Sequence, residues 1–118
     1  MSHYRIDAAK YERHAAEVRK NIDRVEQLLP AIGSMARAKQ AIREAVQDGR
    51  VPADLAEAQE TLVEVVATRA APEIIHQPEP AVMVDQSLLD ELVELLHQSI
   101  QLLRFSNFVI LPGGSPED

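Results

Sequence analysis

From Tyr4 to Leu29 a residue able to pack on one helical seam recurs at alternating four- and three-residue steps. The series is Tyr4, Ala8, Tyr11, Ala15, Val18, Ile22, Val25 and Leu29, with Ile32 on the next step. This spacing keeps one stripe of a helix facing one partner for about four heptads. It predicts a long first helix from near Tyr4 to Leu29. Outside the stripe Arg5, Lys10, Glu12, Arg13, Glu17, Arg19, Lys20, Arg24 and Glu26 give it a solvated outer face. Pro30 closes this helix or opens the next turn, and Gly33-Ser34 marks the corner.

Three further helices follow. Ser34 is suited to N-cap the second, whose Met35, Ala38, Ile42, Ala45 and Val46 form one face up to Asp48-Gly49. Pro52 opens the third, with Asp54, Glu57 and Glu60 near its positive end and Leu55, Ala58, Leu62, Val65 and Val66 as its apolar face. Ala71-Pro72 ends it. Residues 72–84 contain three prolines and read as an extended connector, pinned to a surface by Ile74, Ile75, Val82 and Val84, with a short strand expected at Val82–Val84. Ser87 and Asp90 form a capping pair for the fourth helix. That helix carries Leu88, Leu89, Leu92, Val93, Leu95, Leu96, Ile100, Leu102 and Leu103, an apolar sector wide enough for two neighbours. Phe108–Leu111 then reads as a β-like apolar run.

The expected fold class is therefore all-α. It is a small bundle of about four helices with a long N-terminal heptad helix and room for one short C-terminal strand. One domain spans 1–111, and 112–118 form a flexible tail. The length of 118 residues suits one modest core, and a hydrophobic content of 46% argues against wholesale disorder. Tyr4, Tyr11, Phe105 and Phe108 are the only aromatic residues, which suits helices that approach through small side chains. Cysteine is absent, Met1–Lys10 contain no apolar run with a cleavage site, and no apolar stretch nears the roughly 20 residues of a membrane span. A cytoplasmic protein without a membrane partner is the expectation.

The net charge of −7 conceals an asymmetry. Residues 1–50 carry ten Lys and Arg against seven Asp and Glu, a net of +3, whereas residues 51–118 carry two against twelve, a net of −10. Either acidic and basic helices neighbour one another within the fold or across a dimer, or an acidic face is kept for a basic partner. Free nucleic acid is not expected, because the acidic half repels phosphate.

Candidate chemistry is sparse. His3, His14, His76 and His97 lie on different segments and do not reach metal-ligand spacing. Glu57, Glu60 and Glu64 read as a solvated stripe, and neither a nucleophile elbow nor a phosphate loop is present. No enzyme activity, metal or cofactor is expected. The stretch AIREAVQDGRVP resembles the opening of winged-helix repressors of the GntR family. The helix after it, however, presents Glu57, Glu60 and Glu64 where DNA reading needs polar or basic groups.

Association with protein is the remaining signal. The run LLDELVELLHQSIQLLRFSNFVIL, the small size and the overall plan resemble small all-helical antiactivators of bacterial quorum sensing, the TraM-like and QslA-like proteins. The resemblance implies a regulator that binds a quorum-sensing transcription factor and blocks its dimerisation or DNA binding. Leu92, Leu95, Leu96, Leu102, Phe105, Phe108 and Ile110 are the expected partner-binding residues, with Glu91, Glu94 and Gln98 as a polar rim. Tyr4, Tyr11, Val18, Ile22, Val25 and Leu29 are the expected seam for the core or for a homodimer. An antitoxin, immunity protein or secretion chaperone, and a structural assembly subunit, are the alternatives that size, acidity and helicity also fit.

Overall fold

A computed structural model describes residues 8–78 and 83–110, with the side chains of 12–78 and 83–104. Four helices account for most of them: α1 (Ala8–Ile32), α2 (Met35–Gln47), α3 (Ala53–Ala70) and α4 (Gln86–Ile110), with a single 3₁₀ turn at Pro72–Ile74. The all-α expectation is met, and no strand occurs among the described residues. Phe108–Ile110, expected as strand, continue α4, and no strand among the described residues is available to pair with them. Residues 83–85 are irregular rather than extended pairs. Tyr4, Val82 and 111–118, including the expected tail, lie outside the described residues.

The buried stripe of α1 differs from the expected ladder. Val25, Leu29 and Ile32 are in the core, but the stripe also takes Asn21 and Leu28, while Ile22 is only partly buried and Ala15 and Val18 are half-buried. A straight helix of 3.6 residues per turn drifts about 20° per heptad from a 3.5 repeat, so the expected seam rotates away from the neighbours it meets. The helix also runs through Pro30 to Ile32. Proline removes one bond near the end of the helix, and the burial of Ile32 holds the last turn in place.

Each corner follows from local chemistry. Gly33 adopts φ 80° and its N–H donates to the Leu29 carbonyl at 2.8 Å, ending α1. Ser34 caps α2 as expected, its hydroxyl accepting from the Arg37 N–H at 3.2 Å. At the other end the N–H groups of Arg50 and Gly49 donate to the carbonyls of Ala45 and Val46, at 2.8 and 3.0 Å. This is a Schellman closure, and it needs the left-handed Gly49. Pro52 sits at the N-cap of α3 rather than inside its first turn. The expected Ser87–Asp90 cap of α4 is replaced by Asp85, whose carboxylate accepts from the Ser87 N–H at 3.0 Å and the Ser87 hydroxyl at 2.9 Å. An anionic acceptor is favoured at the positive end of a helix. These two bonds hold the Asp85 carboxyl below its ordinary pKa, the backbone donor having the larger effect.

All four helices contribute to one core. Leu29 and Ile32 of α1, Ile42 of α2, Val63 of α3 and Leu89, Leu92 and Leu96 of α4 are fully enclosed. Each large aliphatic side chain contributes about 2 kcal/mol relative to exposure. Ile74 is buried and Ile75 is partly so, which pins the connector as expected.

Charge closes the two halves on each other. Arg24 pairs with Glu91, Lys39 with Glu64, Arg43 with Glu60, Arg50 with Asp90 and Arg69 with Glu26. All five join the 1–50 half to the 51–118 half, and in four of them a cation of the first half meets a carboxylate of the second, so part of the sequence asymmetry is an internal complementarity. Glu60 and Glu64 thus face the cations of α2 rather than forming a free solvated stripe.

Candidate interaction surface

The expected partner-binding residues of α4 divide into three groups. Leu92 and Leu96 are fully buried in the chain's own core, so they do not form an exposed sticky surface. The helix meets three neighbours and spends these leucines on them. Leu95 and Leu102 are half-buried, and Leu103, about one turn beyond the buried Ile100, is 38% exposed. Phe105, Phe108 and Ile110 lie on the α4 backbone, but their side chains are outside the described residues, as is that of Tyr11 on α1.

The expected rim is partly engaged. Arg24 grips Glu91 with two bonds, Nε to Oε2 at 2.7 Å and Nη2 to Oε1 at 3.1 Å. The fork holds the Glu91 carboxyl below the usual range, chiefly through the hydrogen bond, and raises the Arg24 guanidinium in turn. Glu94 accepts from the Gln98 amide at 2.9 Å, one helical turn away.

On α3 the structure departs furthest from the sequence expectation. The core face is Leu55, Gln59, Val63, Val66 and Ala67. Of the expected face Leu55 and Val66 are buried, whereas Ala58 and Leu62 are half-buried and Val65 is 60% exposed. The buried stripe has turned by about one residue, which is about 100° on a helix. Gln59 is drawn into the core and Val65 is left outside.

The displaced residues line an open groove of about 530 Å³ between α3 and α4. Asp54, Glu57, Ala58, Thr61, Leu62 and Val65 come from one stripe of α3, and Ile100 comes from α4. The positions 54, 57, 58, 61, 62 and 65 share one helix face by their three- and four-residue spacing. Among the described residues Asp54 and Glu57 have no ion-pair partner, in contrast to Glu60 and Glu64 on the next face. A second concavity, of about 700 Å³, is lined by Met35, Lys39, Arg43, Glu44 and Ile75 among others. Its two cations are already paired with α3, so it is electrostatically closed.

Three buried polar side chains escaped the sequence reading. Asn21, Gln59 and Ser99 are at most 3% exposed, and Asn21 Nδ2, Gln59 Oε1 and Ser99 Oγ lack a hydrogen-bond partner. Gln59 Nε2 lies 3.3 Å from His97 Nδ1. Their type gave no signal, since Asn, Gln and Ser are mostly found at surfaces. The three lie on α1, α3 and α4, and none adjoins a group of three or more metal-ligating residues among those described. No helix among the described residues is long and apolar enough to cross a membrane.

Compared with protein-family models, with curated proteins and with solved structures, the chain matches none.

Proposed function

We propose that the chain is a non-enzymatic regulatory protein that captures another protein on α4 and the adjoining face of α3. The observation that carries this reading is the course of α4. Among the described side chains its last buried position is Ile100, Leu103 is exposed, and the helix continues through an apolar sequence to Ile110. An apolar helix face is a common recognition element for a partner helix or groove.

The partner that best fits is a quorum-sensing transcription factor, held so that it cannot dimerise or bind DNA. The overall likeness to small antiactivators supports this choice. Leu95, Leu102, Leu103, Phe105, Phe108 and Ile110 are the residues assigned to the contact, with Leu92 and Leu96 supporting it from the core. The chain itself pairs as a homodimer through the N-terminal half of α1, where Ala15 and Val18 are incompletely covered.

The test is affinity capture of the full chain from its native cell extract, followed by mass spectrometry, with Leu103→Asp in parallel. A DNA-binding regulator retained by the wild type and lost in the variant is the expected result. Capture that is indifferent to Leu103→Asp, or that yields no DNA-binding protein, overturns it. Light scattering on the purified chain reads the dimer separately.

The uncompensated carboxylates Asp54 and Glu57 favour a second reading, an antitoxin or immunity protein whose target is a basic toxin. Capture of a basic nuclease-like or pore-forming protein in the same experiment selects it over the first.

A further inference from the structure

We infer that the α3–α4 groove docks a basic amphipathic helix of the partner protein. The inference rests on the partner-binding reading above and supplies the chemistry of the segment bound.

The shape indicates a helix. The α3 stripe from Asp54 to Val65 rises about 16 Å, three turns, and is matched by anchors at i, i+3 or i+4 and i+7 on an incoming helix. The floor is apolar, from Ala58, Leu62, Val65 and Ile100. Val65 is a large aliphatic side chain with most of its surface in water, on a helix whose other valines include the fully enclosed Val63. Covering it removes apolar area from water without disturbing the core.

The rim indicates the charge. The carboxylates of α3 are sorted by side: those toward α2 are neutralised by Lys39 and Arg43, and those at the groove, Asp54 and Glu57, are left without a cation. A partner helix with Lys or Arg flanking its apolar stripe satisfies both features at once, and complementary charge raises its rate of encounter. Two copies of this chain placed groove to groove set like-charged rims against each other, so self-pairing at this face is disfavoured.

The probe is a fluorescein-labelled synthetic helix of Leu and Lys with Leu at helical spacing, titrated against the full chain by fluorescence anisotropy. Two controls accompany it: the same stripe with Glu in place of Lys, and the Leu/Lys composition scrambled to destroy the stripe. Binding of the first peptide alone is expected. Val65→Asp weakens it about tenfold or more, and Asp54→Asn with Glu57→Gln weakens it and flattens its salt dependence. Val65, Asp54 and Glu57 are all exposed, and unchanged thermal melts confirm that the variants fold.

Equal binding of either control peptide, or unchanged affinity in Val65→Asp, overturns the proposal. A dimer that Val65→Asp dissociates assigns the groove to a second copy and overturns it too. Partner capture abolished by Leu103→Asp yet indifferent to Val65→Asp removes the groove and leaves the partner-binding reading standing. Stripe-specific peptide binding with no captured regulator does the reverse.

Discussion

The Ser34 hydroxyl donates to the Gln77 carbonyl at 3.1 Å across 43 positions of sequence, while accepting from the Arg37 N–H. One fully buried oxygen thus caps α2 and fastens the proline-rich connector to the corner between α1 and α2. Ser34→Ala removes both bonds, leaving α2 uncapped and the Gln77 carbonyl without this donor. A stability loss of about 2 kcal/mol is expected in urea unfolding. A shift in the midpoint equivalent to a few tenths of that shows that the connector is not held here.

Gly49 provides a cleaner backbone test. Its φ is 77°, and a β-carbon added there meets nothing within 4 Å. Gly49→Ala therefore carries a conformational cost without a clash, about 1 kcal/mol. Equilibrium unfolding reads it, and an unchanged midpoint refutes the left-handed closure of α2.

The leucines of α4 separate by burial. Leu96→Ala opens a cavity in the enclosed core and is expected to cost about 2–5 kcal/mol. Leu103→Ala, at a site already 38% exposed, is expected to cost less than about 1 kcal/mol. Comparable losses at both positions contradict the assignment of Leu103 to a surface.

Glu91 gives the fold an acid dependence. Because Arg24 lowers its pKa in the folded chain, the unfolded chain binds more protons in the window just below the ordinary carboxylate value. Its contribution to stability is complete at neutral pH and is lost as pH falls through the lowered folded value. In melts recorded from about pH 7 to about pH 3, Glu91→Gln is expected to be less stable than the wild type at the top of the range. The two converge at the bottom. A constant gap across the range shows that the pair has no titrating role.

Gln59 lies at the centre of a conflict between type and place. It is fully buried and its Oε1 has no partner, so the side chain carries an uncompensated desolvation cost. Gln59→Met keeps the length and removes the amide, and a gain of about 1 kcal/mol is expected from unfolding midpoints. A loss of similar size indicates that the bond to His97 outweighs the unpaired oxygen.

The sequence was most informative where the signal is local. Ser34 as a cap, Gly49 as a left-handed terminator, Ala71-Pro72 as the end of α3 and the isoleucines pinning the connector all follow from single-residue preferences, and each is observed. It was least informative about which stripe of a helix faces inward. On α1 the ladder placed Ile22 where Asn21 is the buried residue, and on α3 it placed Ala58, Leu62 and Val65 in the core where Gln59 and Val63 are found. The α3 error is a rotation of about one residue, whereas the α1 stripe keeps Val25, Leu29 and Ile32 and differs by taking in Asn21 and Leu28. Hydrophobic spacing fixes the period of a helix but not its phase when polar residues adjoin an apolar sector on both sides.

The candidate surface shows the same division. Sequence alone determined that the chain is helical, that its helices pair, and that its two halves are oppositely charged, because period, turn chemistry and net charge are properties of neighbouring residues. Only the tertiary structure decided that part of that charge is paired internally, that Leu92 and Leu96 are enclosed while Leu103 is exposed, and that Val65 shares one face of α3 with two unpaired carboxylates. Those outcomes depend on the angles at which four helices cross, and crossing angles are set by the joint packing of side chains far apart in the chain.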